Sequence, residues 1–260
     1  MKIRPDAVAG QFYPAQSDLL EKEIDGLLAT AHPRLQYQPK ALIVPHAGLI
    51  YSGRVASAAY REIVRFRKKY SRVVLIGPAH RVAFYGLALS SASAFHTPLG
   101  NVELANTAAD HLEALPQVIV YDQAHDEEHS LEVQLPFLQS CLDRFELLPL
   151  VVGESSASEV AEVLGVLWGG PETLVIASSD LSHFLDYREA CMVDRQTSQK
   201  IMNYATDLGG EEACGCKVLN GLSMLAREKH LHIDMLALEN SGDTAGNRSR
   251  VVGYGAYALH

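Results

Sequence analysis

Residues 41–53 have the sequence ALIVPHAGLIYSG, and the beginning of this stretch sets a pattern that the chain repeats twice. The apolar run at residues 42–44 is short and rich in branched side chains, which is typical of a buried strand. Pro45 ends the run, so His46 follows just past the end of the strand. A polar, ligand-capable side chain is thereby placed at a strand terminus.

The same arrangement occurs at two later apolar runs. Residues 73–76 (VVLI) are followed by His80, and residues 175–177 (VIA) are followed by Asp180 and His183. The strand, helix and strand between residues 42 and 76 predict a βαβ unit with a parallel pair of strands. Because ligands bind in the crevice at the carboxyl ends of parallel strands, we expect these side chains to form the functional site.

Strands alternate with helices over most of the 260 residues, which predicts an α/β fold. The expected architecture is a three-layer α/β/α sandwich on a mostly parallel central sheet. We expect one domain, residues 1–260, because no linker-like stretch divides the chain. Residues 232–238 and 251–259 are predicted to form an antiparallel pair at the sheet edge. The predicted helices cover residues 17–31, 53–66, 101–115, 130–142, 156–167, 187–204 and 214–228.

Two local predictions depend on single residues. Ser17 is expected to cap the first helix, since serine is a preferred N-cap. Residues 95–100 are expected to form a loop, because Pro98 and Gly100 interrupt them.

The composition excludes several classes of function. A net charge of −9 argues against non-specific binding of nucleic acid or of an anionic membrane, which requires basic patches. The first residues lack the apolar core of a signal peptide, and no apolar run approaches the ~18 residues of a membrane span. The four cysteines are too few for a disulfide scaffold. We therefore expect a cytoplasmic protein with reduced thiols.

His46 and His80 are the first candidates for chemistry. Imidazole suits zinc, copper, iron and nickel, and we expect the two residues to end neighbouring strands of one βαβ unit. The alternative is a pair of hydrogen-bonded histidines in a cleft. Asp180 and His183 are three residues apart, so on a helical turn they would share a face, and Asp180 could orient the imidazole of an acid/base histidine. Alternatively, Asp180 caps the turn and His183 lies at the surface.

Residues 125–129 (HDEEH) are the most polar stretch of the chain. His125 and His129 could chelate a metal if the segment were helical, although no zincin pattern is present. Glu128 and His129 are expected to line the cleft. The alternative is that the carboxylates stabilise the start of the following helix through its dipole.

Cys214 and Cys216 form a C-x-C pair. A structural zinc site would need two more ligands at typical spacing, and a disulfide this tight would be strained. Cys214 near a helix start could have a lowered pKa, whereas the alternative is two buried thiols. Walker A, Gly-x-Gly-x-x-Gly and Gly-x-Ser-x-Gly motifs are absent from the sequence, so neither a nucleotide nor a serine nucleophile is indicated.

The ordered set of motifs resembles one known family. PHAG at 45–48, GPAH at 77–80, EHSLE at 128–132, SSDLSH at 178–183 and CG at 214–215 are similar to motifs of the Memo family. The prokaryotic members of that family are the B proteins of the AmmeMemoRadiSam system. The resemblance extends from Arg4 to the closing strands. It implies an α/β sandwich similar to the class III extradiol ring-cleavage dioxygenases.

The resemblance also implies a site. His46, His80 and Cys214 match metal ligands, with iron or copper as the metal and zinc as a further option. His183 matches an acid/base histidine and Asp180 its neighbour. Tyr51, Glu128, His129 and Cys216 are expected to line the cleft.

The expected function is redox or oxygen chemistry on an unknown small molecule, by a metal-dependent oxidoreductase. A thiolate in place of a carboxylate favours softer ions, so ring cleavage is not inherited with the fold. The alternative is a non-catalytic binding module for a (phospho)peptide or partner protein, or an accessory to a radical-SAM enzyme.

Overall fold

A computed structural model of the chain describes residues 2–105, 112 and 114–260. Its strands are β1 (Ile3–Arg4), β2 (Ala41–Val44), β3 (Arg72–Pro78), β4 (Leu87–Leu89), β5 (Ala94–Thr97), β6 (Gly100–Glu103), β7 (Val118–Val120), β8 (Glu146–Val152), β9 (Thr173–Ser178), β10 (His183–Leu185), β11 (Ile233–Asn240) and β12 (Val251–Leu259). Its helices are α1 (Ser17–Thr30), α2 (Leu49–Ile63), α3 (Gln123–Asp126), α4 (His129–Glu132), α5 (Leu135–Cys141), α6 (Ala157–Leu167), α7 (Tyr187–Met202) and α8 (Cys216–Glu228). Short 3-10 turns occupy Val64–Phe66 and Ser241–Asp243.

The large sheet has the strand order β10-β12-β2-β9-β3-β8-β4-β7, with β11 also paired to β12. Its centre, β2-β9-β3-β8, is parallel, and the flanking strands β12 and β4 are antiparallel to β2 and β8. A second, small sheet has the order β1-β5-β6. The parallel centre that the sequence predicts is therefore confirmed, and four of the eight strand pairs described in this sheet are parallel.

Alternating side chains of the central strands face two apolar layers. Leu42, Leu75 and Ile176 belong to the layer that contains residues of α1, α2 and α5. Ile43 and Ile76 belong to the opposite layer, together with residues of α6 and α8. Since helices cover both faces of the sheet, the α/β/α sandwich is confirmed.

The order of the strands differs from the predicted one at the centre. β9 lies between β2 and β3, pairing with both, so His46 and His80 do not follow adjacent strands. The crossover through α2 leaves a gap of one strand, which β9 fills. As a result, the turn after β9 lies between the two histidines.

Several boundaries also differ from prediction. α2 begins at Leu49, directly after Gly48, because the buried Leu49 turns into the core as soon as the strand ends. The N-cap of α1 is Gln16 rather than Ser17. The predicted helix over 130–142 is divided into α4 and α5, and Pro136 lies in the first turn of α5, where a missing N–H costs little.

The predicted loop at 95–100 is shorter in the structure, where only Pro98 and Leu99 form the turn of a β5–β6 hairpin. Gly100, with φ of +112°, begins β6. The predicted helix over 101–115 fails at its start, where β6 runs to Glu103, and residues 106–111 and 113 lie outside the described part. α6, α7 and the antiparallel pair β11–β12 agree with prediction. β12 is not a free edge, since β2 and β11 pair with it.

Within the described residues, no helix combines the length and the apolar character needed to cross a bilayer.

Candidate metal centre

Three side chains predicted from the sequence converge at the carboxyl end of the sheet. One potential ligand atom from each of His46, His80 and Cys214 lies within 4.8 Å of the other two. His46 Nε2 is 3.2 Å from Cys214 Sγ, and the two imidazole rings meet edge to face with centroids 5.1 Å apart. These donors are two imidazoles and a thiol, a set that suits iron, copper or zinc.

A buried hydrogen-bond network fixes the tautomer of His46. Ser178 Oγ donates its only proton to the Ser130 carbonyl, 2.6 Å away, and accepts from Gln134 Nε2 at 2.9 Å. His46 Nδ1 lies 2.9 Å from the same oxygen and must therefore donate to it. Burial, with His80 and His129 nearby, holds the pKa of His46 well below its usual range. The ring is neutral, and Nε2 carries the free lone pair.

Glu128 fixes the tautomer of His80 in the same way. The backbone N–H of His80 donates to Glu128 Oε2 at 2.6 Å, and Nδ1 lies 2.9 Å from Oε1. Burial alone would raise the pKa of Glu128, but hydrogen bonds from His80 and Ser130 lower it to about 2. The carboxylate is ionised and can only accept, so Nδ1 of His80 is the donor and Nε2 is free. This arrangement orients histidine ligands in many metal sites.

Cys214 reaches the cluster from the turn before α8. The backbone N–H of Asp180 donates to its Sγ at 3.3 Å. A Cβ on Gly215 would lie 2.7 Å from Ser179 Cβ and 2.9 Å from the Ser178 carbonyl oxygen, so glycine permits the close approach to the end of β9. Burial and the nearby Asp180 raise the pKa of the thiol. A bound cation would oppose this effect, because a coordinating thiol is deprotonated.

Asp180 and His183 are close to the cluster but do not have the predicted geometry. His183 lies in β10 rather than on a helical turn with Asp180. Asp180 Oδ1 accepts the backbone N–H of His46 at 2.7 Å, whereas His183 Nδ1 lies 2.8 Å from the Leu181 carbonyl. Asp180 therefore holds His46 and Cys214 in place. Burial raises its pKa to about 7, opposed by that hydrogen bond from His46.

A cleft of about 460 Å³ opens beside the cluster. Among its lining residues are Phe12, Tyr51, His129, Asp180, His183, Arg250 and Tyr254. The structure thus brings the predicted Tyr51 and His129 together with His183. Burial lowers the pKa of His129 to about 4. Its Nδ1 is buried, 3.4 Å from Glu128 Oε1, and forms no hydrogen bond with the described residues.

The structure places Glu128, Cys216 and His125 differently from what the sequence predicts. Glu128 is 2% exposed and lies against His80 instead of lining the cleft. Cys216 does not line this cleft but a second pocket of about 230 Å³, which it shares with Cys214, Phe84 and Lys217. His125 is buried with Nε2 3.0 Å from the Ala88 carbonyl, and a break between α3 and α4 separates it from His129, so the two cannot chelate one ion as a helical pair.

Sequence reasoning missed the roles of Ser178, Gln134 and Arg250. Ser178 could have been found, since it directly follows the apolar run at residues 175–177, which leads into the site. Gln134 and Arg250 carry no local signal, because they come from remote segments.

The fold and the site define an α/β/α sandwich with two histidines and a cysteine at the carboxyl end of its parallel strands. The family model of Memo-like proteins matches residues 4–258. The chain belongs to the Memo family.

Curated relatives agree over nearly the full length. MEMO1 family proteins of Aquifex aeolicus and Methanosarcina mazei are each 34% identical, with 98% of this chain and 98% of the relative aligned. The MEMO1 family protein TV1383 of Thermoplasma volcanium is 32% identical, over 97% of this chain and 96% of its own.

One solved structure is similar in fold. The crystal structure of uncharacterized protein JW3007 from Escherichia coli K12 superposes with a TM-score of 0.50 at 13% identity. The match covers 84% of this chain and 99% of that chain. At this identity the similarity concerns the fold alone.

Proposed function

We propose that the chain binds one iron or copper ion through His46, His80 and Cys214, and that it carries out redox or oxygen chemistry on a small molecule in the adjacent cleft. The observation that carries the proposal is the fixed tautomer of both histidines. In each ring Nδ1 is committed to a buried acceptor, so Nε2 carries the lone pair, and in His46 that atom lies 3.2 Å from Cys214 Sγ. A cluster with no ligand to hold would not need both rings oriented in this way.

When bound, iron or copper would supply electron transfer and Lewis acidity. The protein's own residues would orient the metal ligands. Glu128 and Ser178 orient the imidazoles, and Asp180 holds the backbone of His46 and the sulfur of Cys214. The contacts of His46 with Ser178 and Asp180 are buried, so water does not compete with them, whereas those of His80 and Cys214 are partly buried.

His183 is the proposed acid/base. Its Nδ1 is 2.8 Å from the Leu181 carbonyl, which can only accept, so the neutral ring keeps its proton on Nδ1 and can accept another at Nε2. Burial lowers the pKa of His183, which keeps the ring unprotonated at neutral pH and therefore able to accept a proton. A substrate hydroxyl in the cleft is the group it would deprotonate.

The cleft suits a small, ring-shaped substrate. Its volume of about 460 Å³ lies within the range of small-molecule pockets, roughly 300–1,000 Å³. Phe12, Tyr51 and Tyr254 supply aromatic surface, and Arg250 supplies a positive charge. This size favours a small molecule over the alternative of a bound peptide.

The first test is metal content. Tag-free protein purified without oxygen would be measured by mass spectrometry as wild type, His46→Ala, His80→Ala, Cys214→Ser and, as the matched control, Cys216→Ser. We expect about one iron or copper per chain in the wild type and in Cys216→Ser, and loss in the other three. Absence of both metals after reconstitution with Fe(II) and Cu(I) would refute the proposal.

The second test separates chemistry from binding. Metal-loaded wild type and His183→Ala would be compared for oxygen consumption with a panel of catechol-like compounds. We expect turnover that falls at least a hundredfold in His183→Ala, the low end of acid/base contributions. Stoichiometric metal without turnover of any compound would contradict the chemical half, and would favour a binding module or a radical-SAM accessory.

A further inference from the structure

A second cluster of ligand-type side chains lies at the opposite end of the sheet. His232 directly precedes β11, His260 directly follows β12, and Asp234 is the second residue of β11. Leu259 of β12 pairs with Ala41, the first residue of β2, so the cluster lies beside the amino end of β2. The site described above is at the carboxyl end.

The ladder places the three side chains on one face. His232 N–H donates to the His260 carbonyl at 2.8 Å, and His260 N–H donates to the His232 carbonyl at 3.1 Å. Residues that exchange both bonds are directly opposite each other in an antiparallel pair, with side chains on the same face. Asp234 is two residues from His232, and side chains two apart on a strand also share a face.

The distances between ligand atoms are short. Asp234 Oδ2 is 3.0 Å from His260 Nε2, and Oδ1 is 3.3 Å from His232 Nε2. One potential ligand atom from each residue lies within 4.8 Å of the other two. In a tetrahedral zinc site with bonds of about 2.0–2.1 Å, ligand atoms are about 3.3 Å apart. Small side-chain rotations would therefore suffice to place the three ligand atoms around one zinc ion.

Tyr37 contacts two members of the cluster, Asp234 and His260. Its hydroxyl donates to Asp234 Oδ2 at 2.6 Å, and its ring packs against that of His260. A carboxylate oriented by a further hydrogen bond is common among metal ligands. The side chains of His232, Asp234 and His260 are 66%, 30% and 23% exposed, so an ion and its remaining waters have access.

We propose that His232, Asp234 and His260 form a second metal site, for Zn²⁺ or another borderline divalent ion. Two imidazoles and one carboxylate, with water at the remaining position, are a known zinc ligand set. With no sulfur, this set favours zinc, cobalt or nickel over Cu(I), in contrast to the cluster of His46, His80 and Cys214. Because its ligands connect the ends of β11 and β12 to Tyr37, bound metal stabilises this edge of the sheet.

The test uses Zn²⁺ alone and silences the first site. Tag-free protein with His46→Ala and Cys214→Ser would be titrated calorimetrically with Zn²⁺, alone and with His232→Ala added. We expect one equivalent to bind to the first variant and at least tenfold weaker binding once His232 is removed. His32→Ala in the same background is the matched control, because His32 is exposed and lies outside the cluster.

Two further readouts exclude a folding defect. Zn²⁺ should raise the melting temperature of the background variant but not that of the His232→Ala form, and the two should melt alike without metal. Co²⁺ should give visible absorption bands that depend on His232. No Zn²⁺ binding in the background, or equal binding with and without His232, would overturn the proposal. Either result leaves the test of the His46 site unaffected, since that test measures iron and copper in different variants.

Discussion

Replacing Glu132 by glutamine should lower the free energy of unfolding by about 3–5 kcal/mol. Glu132 is fully buried and forms an ion pair with Arg4, which is 2% exposed. Its carboxylate also accepts the Tyr13 hydroxyl at 2.5 Å and the N–H groups of Ala7 and Val8 at 2.8 and 3.0 Å. The charge thus joins residues 4–13 to α4.

The magnitude follows from what glutamine retains and what it loses. Glutamine has nearly the same volume and keeps one acceptor oxygen, so packing is preserved. An amide oxygen at the position of Oε1 still accepts from Val8 and Tyr13. Its amide replaces the second oxygen with a donor and removes the negative charge. Arg4, whose other contacts are the carbonyls of His125 at 2.7 Å and Glu128 at 2.8 Å, is then a buried cation without a counter-charge. Breaking a buried pair from one side costs about 3–5 kcal/mol.

Urea unfolding, followed by circular dichroism, measures the effect for Glu132→Gln and for the matched control Glu154→Gln. Glu154 pairs with Lys217 at the surface, where the side chains are 65% and 35% exposed, so its loss should cost about 0–1 kcal/mol. Both variants should keep the denaturant slope of the wild type. If Glu132→Gln costs no more than Glu154→Gln, the reasoning is refuted.

Two further predictions concern Gly215 and Asp194. Gly215→Ala should cost about 1–3 kcal/mol of stability and weaken the proposed binding of metal, because its Cβ would lie 2.7 Å from Ser179 Cβ and displace Cys214. The control is Gly210→Ala, where no described atom comes within 4 Å of the new Cβ, and it should have neither effect in the same melting and metal assays. Burial raises the pKa of Asp194 from 3.8 to about 6, so its contribution to stability is fully present below pH 3.8 and is lost as the pH rises through about 6. Relative to the wild type, Asp194→Asn should therefore gain roughly 2 kcal/mol of stability between pH 4 and pH 7. Parallel stability profiles of the two proteins over that range would contradict this.

Much of the fold and part of the site could be predicted from local sequence. The apolar runs that became β2, β3 and β9 are short and bounded by polar or turn residues, and such periodicity depends only on neighbours in the chain. The positions of His46, His80 and Asp180 just past those runs placed them at one edge of a parallel sheet. In the structure these residues do lie close together at that edge.

The partners of those residues were decided by tertiary structure. β9 entered between β2 and β3, and this order placed Asp180 against His46 rather than beside His183. Glu128 became the partner of His80, and Arg4 the partner of Glu132, across separations of 48 and 128 residues. The sequence by itself determined which side chains follow which strands, because backbone periodicity is local. Only the packed structure decided which buried donor met which acceptor, because strand order and burial depend on the whole chain.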